Sequence, residues 1–252
     1  MAGRYDEYLI NRGLEIVEEG KRRGIPLRLM GAVAVRIHCP QFRELHIKLE
    51  RPLTDIDVMT LKKYKKQVEQ LFKDMGYDWY VPKWYARGRY IFIDPETKLL
   101  ADVFFDKLEM CHTIDFRERL EVDYPTISLA DIMLEKLQIV EINEKDIKDM
   151  IVLLREHDVG ETDEETINGK YIAKLFADDW GFWYTATTNL KKLKGFLDKY
   201  EVLTDEDRRV VAERIDKLMD MIEKEPKTKK WQKRAKIGTK KIWYRKVEEV
   251  AR

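Results

Sequence analysis

The sequence predicts an α+β fold: a small mixed β-sheet flanked by helices, followed by an all-α C-terminal region and a basic tail. Three observations lead there. Short runs rich in Val, Ile, Leu and Phe, such as 89–94 (RYIFID) and 99–106 (LLADVFFD), fall in the first half of the chain and have strand composition. From Ser128 onwards apolar residues recur at helical spacing. The polar stretch 158–166 (DVGETDEET) breaks that pattern and marks a boundary. The expected organisation is therefore 1–160, a mixed α/β unit; 161–225, a helical unit; and 226–252, a basic tail.

Residues 4–23 read as a helix with Tyr8, Leu9, Leu14, Ile16 and Val17 on its apolar face, stopped by Gly24-Ile25-Pro26. LRLMG (27–31) reads as a short strand ending on a glycine, and AVAVRIH (32–38) as a helix starting directly after it. The segment CPQFRELHIKLERPL (39–53) is expected to be irregular or a hairpin. DIDVMT (55–60) is a strand, and 61–76 a helix with Tyr64, Val68, Leu71 and Phe72 on one face and a terminal glycine. Residues 77–81, 89–94 and 99–106 are strand-like, the last two joined by the turn residues DPETK into a hairpin. Ser128 with Asp131 starts the helix LADIMLEKLQIV, and 144–157 is a second helix with Ile147, Ile151 and Leu154 on one stripe. Three more helical patterns follow, the last capped by Thr204 and Asp207. The aromatic stretch 177–185 (ADDWGFWYT) is expected to pack in the helical core.

Lys+Arg (48) and Asp+Glu (47) nearly cancel, so net charge names no partner. Heavy use of Glu and Lys fits a thermophile-like composition. With only Cys39 and Cys111, a disulfide framework is not expected. Each cysteine adjoins a histidine (His38, His112), but adjacent ligands are not zinc spacing, and buried thiols are the favoured reading. The N-terminal stretch lacks the apolar core of a signal peptide, and no run is long enough for a membrane span. A soluble, cytoplasmic protein is expected.

The stretch LTDIDVMT (53–60) threads two carboxylates, Asp55 and Asp57, through an apolar strand. Side chains at i and i+2 of a strand share a face, so both should converge. Like charges held close repel unless a cation intervenes. Magnesium takes carboxylate oxygens and substrate phosphates, and a third carboxylate would complete a two-metal site. Asp102, in the apolar run LLADVFFD, is the candidate third. Upstream, Met30-Gly31-Ala32 is a strand–glycine–helix turn of the kind that approaches phosphate. Arg51 adds a cation just before the acidic pair. These parts read together as a site for a metal–triphosphate complex.

MGAVAVRIH, RPLTDIDVMT and LLADVFFD together resemble the nucleotidyltransferases of the DNA polymerase beta superfamily, most closely the abortive-infection (type IV toxin) type. The resemblance spans roughly residues 25–155. It implies Asp55, Asp57 and Asp102 as catalytic residues and ligands of two magnesium ions, with Asp102 helping to activate the acceptor hydroxyl. It implies Gly31, Ala32, Arg51, Thr54 and Lys136 as nucleotide-binding residues. Lys145, Asp146 and Asp149 match the family's Lys-Asp-x-x-Asp helix, the two aspartates in a supporting role; a Lys145–Asp149 helical ion pair is the plain alternative. Two departures stand out. Gly31 is followed by Ala32 where Gly-Gly or Gly-Ser is usual, and 39–50 (CPQFRELHIKLE) lengthens the gap to the acidic pair.

The implied activity is magnesium-dependent transfer of a nucleoside monophosphate from a nucleoside triphosphate such as ATP to a hydroxyl of RNA or tRNA, a protein or a small molecule. The alternative is an inactive binding or regulatory module on the same fold. The tail, 226–246, interleaves Lys and Arg with Trp231, Trp243 and Tyr244. It reads equally as a solvated, disordered terminus or as an RNA-binding surface with base stacking. No Walker loop, dinucleotide fingerprint or serine-nucleophile turn is present. Acceptor, nucleotide preference and oligomeric state are not legible.

Overall fold

Leu9, Ile16 and Val17 line the buried face of α1 (Ala2–Arg22), while Tyr8 turns to solvent. The computed structural model describes residues 2–82 and 88–247. Gly24 (φ +69°) turns the chain into β1 (Arg28–Met30), which passes without a loop into α2 (Gly31–His38). Instead of a hairpin, the next segment forms α3 (Arg43–Lys48). Leu45 and Leu49, one helical turn apart, are both buried and account for the choice. β2 (Ile56–Thr60) follows, then a 3-10 turn (Lys62–Tyr64) leading into α4 (Lys65–Asp74). The expected strand at 77–81 shrinks to the exposed edge β3 (Asp78–Trp79). β4 (Tyr90–Ile93) and β5 (Leu100–Phe105) form the expected antiparallel hairpin. A small ribbon, β6 (Lys107–Glu109) and β7 (Thr113–Asp115), leads to the helices.

The sheet has the order β1-β2-β5-β4-β3. β2 and β5 run parallel and the other neighbours antiparallel, so the sheet is mixed. One face packs on α1 and α4 through Leu9, Ile16, Val68 and Phe72 against Val58 and Val103. The other face, carrying Met30 and Met59, packs on α5 (Leu129–Leu137) and α6 (Glu144–Glu156). Each fully buried side chain of this size contributes about 1.5–3 kcal/mol. Ser128 caps α5 by accepting from the Asp131 amide.

Across 158–166 the chain forms a short parallel pair, β8 (Val159–Gly160) with β9 (Ile167–Asn168). Then come α7 (Gly169–Asp178), α8 (Trp180–Phe196) and α9 (Asp205–Lys224). The core over α5 and α6 continues into these helices through Phe176, Leu190 and Ile215. Thr204 and Asp207 form the expected capping box. Trp180 and Phe182 of the aromatic stretch are buried, as a packing role requires. No helix among the described residues is long and apolar enough to cross a membrane.

The basic tail forms a helix and a 3-10 turn and packs on the chain, which counts against the disordered-terminus alternative. Thr228 caps α10 (Lys229–Ala235). Trp231 meets Trp183 of α8 edge-on at 5.0 Å, and Arg234 lies 4.7 Å over the Trp180 ring. Trp243 Nε1 donates to Thr185 Oγ1 at 3.0 Å. Arg245 donates from its backbone to Cys111 O. Trp231 and Trp243, two of the rings suited to base stacking, thus pack against α8 of the same chain, and Tyr244 packs on Trp243.

Candidate active site

The pleat of the sheet decides where the carboxylates point. Ile56 and Val58 of β2 face the α1 side, so Asp57 between them faces α5 and α6, as Met59 does. Ala101 and Val103 of β5 face the α1 side, so Asp102 shares that face with Asp57. The parallel register sets Asp57 directly opposite Asp102. Asp55 lies one residue ahead of β2, and the Thr54 hydroxyl donates to its Oδ1 at 2.9 Å. The Asp57 carboxyl is pushed well above the usual carboxylate range, first by burial and then by Asp55, Asp102 and Glu135; Lys136 works the other way.

Gly31 is required where it stands. It opens α2 with φ +66°, a region that L side chains avoid. A Cβ there would lie 2.4 Å from Asp57 Oδ2. The missing side chain is what lets Asp57 press against the helix start. Met30 supplies no side-chain cap to α2. Instead the Gly31 amide donates to Glu135 Oε2, from α5, at 3.0 Å. Ala32 packs partly buried against the core on the α1 side.

Behind the carboxylates lies a buried network of charge. Lys136 Nζ is 3.2 Å from Asp149, 3.3 Å from Asp146 and 3.8 Å from Glu135. Burial lowers its ammonium pKa, but Asp149, Glu135 and Asp146 together hold it above the ordinary lysine value. Arg51 donates to both oxygens of Asp149 and to Pro52 O. Asp149 therefore meets Arg51 and Lys136, and Lys145, one helical turn earlier in α6, is exposed. Arg36 continues the network, donating to Asp6 Oδ2 and to Arg51 O, and Asp6 accepts from the Leu53 amide. This chain of contacts fixes the segment that carries Thr54 and Asp55.

The structure brings Gly31, Asp55, Asp57, Asp102 and Lys136 to one side of the sheet. Arg51 reaches that site through Asp149. Two residues had escaped notice in the sequence. Arg89 Nη1 lies 2.9 Å from Asp102 Oδ2, and Asp102 is fully buried. Glu135 lies beside Lys136 on a helix that is otherwise buried nearly all round. Two adjacent charges in so apolar a helix were the available signal.

Among the described residues, no three Asp, Glu, His or Cys side chains are drawn around one point as a metal site. The donor chemistry does fit a hard divalent cation. The ligands on offer are all carboxylate oxygens, and their mutual repulsion burdens Asp57. The cysteine–histidine pairs are occupied elsewhere. His38 Nε2 lies 2.7 Å from Thr126 Oγ1, His112 Nε2 lies 2.9 Å from Thr185 Oγ1, and both thiols are free and buried.

No family model and no curated protein matches the chain. Solved structures similar to it include the antibiotic-resistance factor ANT(2'')-Ia in solution. That chain is 14% identical, with 70% of this chain and 96% of that one covered and a TM-score of 0.42. Another is an antigenic nucleotidyltransferase-like protein from Paracoccidioides brasiliensis, 13% identical, with 71% and 91% covered and a TM-score of 0.38.

Proposed function

We propose that this chain is a magnesium-dependent nucleotidyltransferase. It moves a nucleoside monophosphate from a nucleoside triphosphate to a hydroxyl acceptor and releases pyrophosphate. The observation that carries this reading is the in-register pair Asp57 and Asp102, with Gly31 bare against Asp57. Residue-level resemblance supplies the chemical assignment. Asp55, Asp57 and Asp102 are the magnesium ligands. Bound magnesium would supply positive charge to the phosphate oxygens and to the attacking and leaving oxygens.

The chain's own residues do the rest. The Gly31 amide, at the positive end of α2, donates to a phosphate oxygen. Asp102 accepts the acceptor hydroxyl's proton as that oxygen bonds to the α-phosphorus, and the bond from the α-phosphorus to the bridging oxygen breaks. Lys136 and Arg51 hold positive charge behind the acids. The acceptor classes are RNA or tRNA, a protein, and a small molecule. An RNA acceptor would meet the exposed lysines Lys229, Lys233 and Lys236 through its phosphates rather than the tail's rings.

The test is transfer of α-labelled nucleoside triphosphates, with magnesium, to total RNA, to protein and to small hydroxyl compounds. Wild type should label one acceptor class, and the Asp55→Ala/Asp57→Ala double variant none. If wild type neither transfers label nor binds a magnesium–triphosphate complex, the enzyme reading is wrong.

A further inference from the structure

We infer that Glu135 is a placeholder anion: its carboxylate occupies the Gly31 amide until a triphosphate displaces it. The inference rests on the nucleotide reading of the site. The amide that opens α2 is the natural phosphate donor, because a helix start presents free N–H groups and a positive dipole end. Here that amide is already taken by Glu135 Oε2 at 3.0 Å. Met30, the residue ahead of it, offers no side chain to do the job locally. The carboxylate arrives instead from α5, a sequence separation of 104.

Glu135 and a phosphate oxygen cannot both accept this one N–H. Nor does the surrounding charge favour their sharing the space, since Asp57 already feels Asp55, Asp102 and Glu135. An exit for Glu135 is at hand. Its other oxygen, Oε1, lies 3.8 Å from the Lys136 ammonium, close enough for a rotamer change to close the contact. Moving there leaves the amide open and transfers the negative charge away from the phosphate towards a buried cation. Glu135 thus holds the turn in order when the site is empty and competes with the ligand when it is not.

The test is calorimetric titration of the full chain with magnesium and the α,β-methylene analogues of ATP, GTP, CTP and UTP, which cannot be cleaved at the reacting bond. Wild type is compared with Glu135→Asp and Glu135→Ala. The aspartate keeps the charge but is one methylene too short to reach the amide. Both variants should bind the preferred analogue about tenfold tighter than wild type, the scale of one charged hydrogen bond. Should Glu135→Ala not fold, Glu135→Asp decides alone. Binding by wild type with no tightening in Glu135→Asp overturns the placeholder and leaves Glu135 a remote helix cap. Tightening in Glu135→Ala alone assigns the effect to charge and also overturns it. No binding of any analogue by any form overturns the nucleotide site itself.

Discussion

Arg51 grips Asp149 with two parallel hydrogen bonds, Nε to Oδ1 and Nη2 to Oδ2, each 2.9 Å long. The partners are 98 residues apart in sequence and both are buried. Such fork-to-fork geometry fixes orientation as well as distance. It ties the segment that carries Asp55 and Asp57 to α6. Through Lys136, it also ties that segment to α5.

Removing Asp149 should therefore hurt more than removing Lys136. Asp149→Asn takes the bidentate carboxylate from buried Arg51 and leaves Lys136 with Asp146 and Glu135, and is expected to cost about 3–5 kcal/mol of stability. Lys136→Met leaves Asp149 still paired with Arg51 and should cost clearly less. Urea unfolding of the two variants measures the difference. Equal losses would mean that Asp149 is not the hub of the network.

Gly31 and Gly76 both adopt positive φ, at +66° and +83°, but only Gly31 has a neighbour in the way. Gly76→Ala should cost about 1–2 kcal/mol from backbone strain alone. Gly31→Ala adds a methyl 2.4 Å from Asp57 Oδ2 and must push that carboxylate aside. It should destabilise more than Gly76→Ala and abolish label transfer, which Gly76→Ala should leave intact. Thermal unfolding and the transfer assay separate the two costs. Retained transfer in Gly31→Ala would detach Gly31 from the proposed site.

The contrast between Gly31 and Glu135 explains what was legible. Asp57 and Asp102 stand out because an isolated charge inside an apolar strand is locally anomalous. Gly31 stands out because a strand turns into a helix there with no loop. Glu135 sits in a helix, where a charged residue is ordinary; its place beside Lys136 in an apolar run is a faint local signal, and the burial of nearly the whole of α5 is what gives it weight. Burial all round depends on α6 and α8, which local sequence does not reveal. The tail shows the same limit. Lysines alternating with tryptophans look alike whether the rings face solvent or α8, and the deciding contact, Trp243 to Thr185, spans 58 positions. The α3 helix was hidden for a different reason: six residues rich in charge give too little period to read.

His112 is a candidate source of acid sensitivity. It is buried, stacked on Phe182 at 4.7 Å, and lies 2.9 Å from the Thr185 hydroxyl. Burial lowers its pKa from 6.5 to about 4; Asp179 opposes the shift and Arg245 reinforces it. The folded chain therefore holds His112 neutral where the unfolded chain would protonate it. Between 6.5 and about 4 the unfolded state binds the extra proton, so stability falls as pH falls through that window and levels off below it. The full loss is up to about 3 kcal/mol. Buried carboxyls with raised pKa, such as Asp57, act in the opposite direction. The difference between wild type and His112→Gln isolates the histidine. The wild-type curve of stability against pH should be steeper across the window, and parallel curves would clear His112 of the role.

Asp57 and Asp102 face each other in register, yet their surroundings predict opposite costs for removing their charge. Asp57 is burdened by burial and by Asp55, Asp102 and Glu135, so its carboxyl is pushed well above the usual carboxylate range and its charge is costly in the folded chain. Replacing it with a neutral amide of the same shape relieves that repulsion. Asp57→Asn should therefore match or exceed wild type in thermal stability. Asp102 is fully buried and its Oδ2 lies 2.9 Å from Arg89. Asp102→Asn weakens the partner of a half-buried cation and should lower stability by about 1–3 kcal/mol. Both changes should reduce label transfer at least a hundredfold, because each removes negative charge from the proposed metal face. A residue kept for stability would lose activity only in step with folding. A rise in stability with loss of transfer in Asp57→Asn would identify a carboxylate retained for chemistry at the expense of the fold. Undiminished transfer in Asp57→Asn would remove it from the catalytic set.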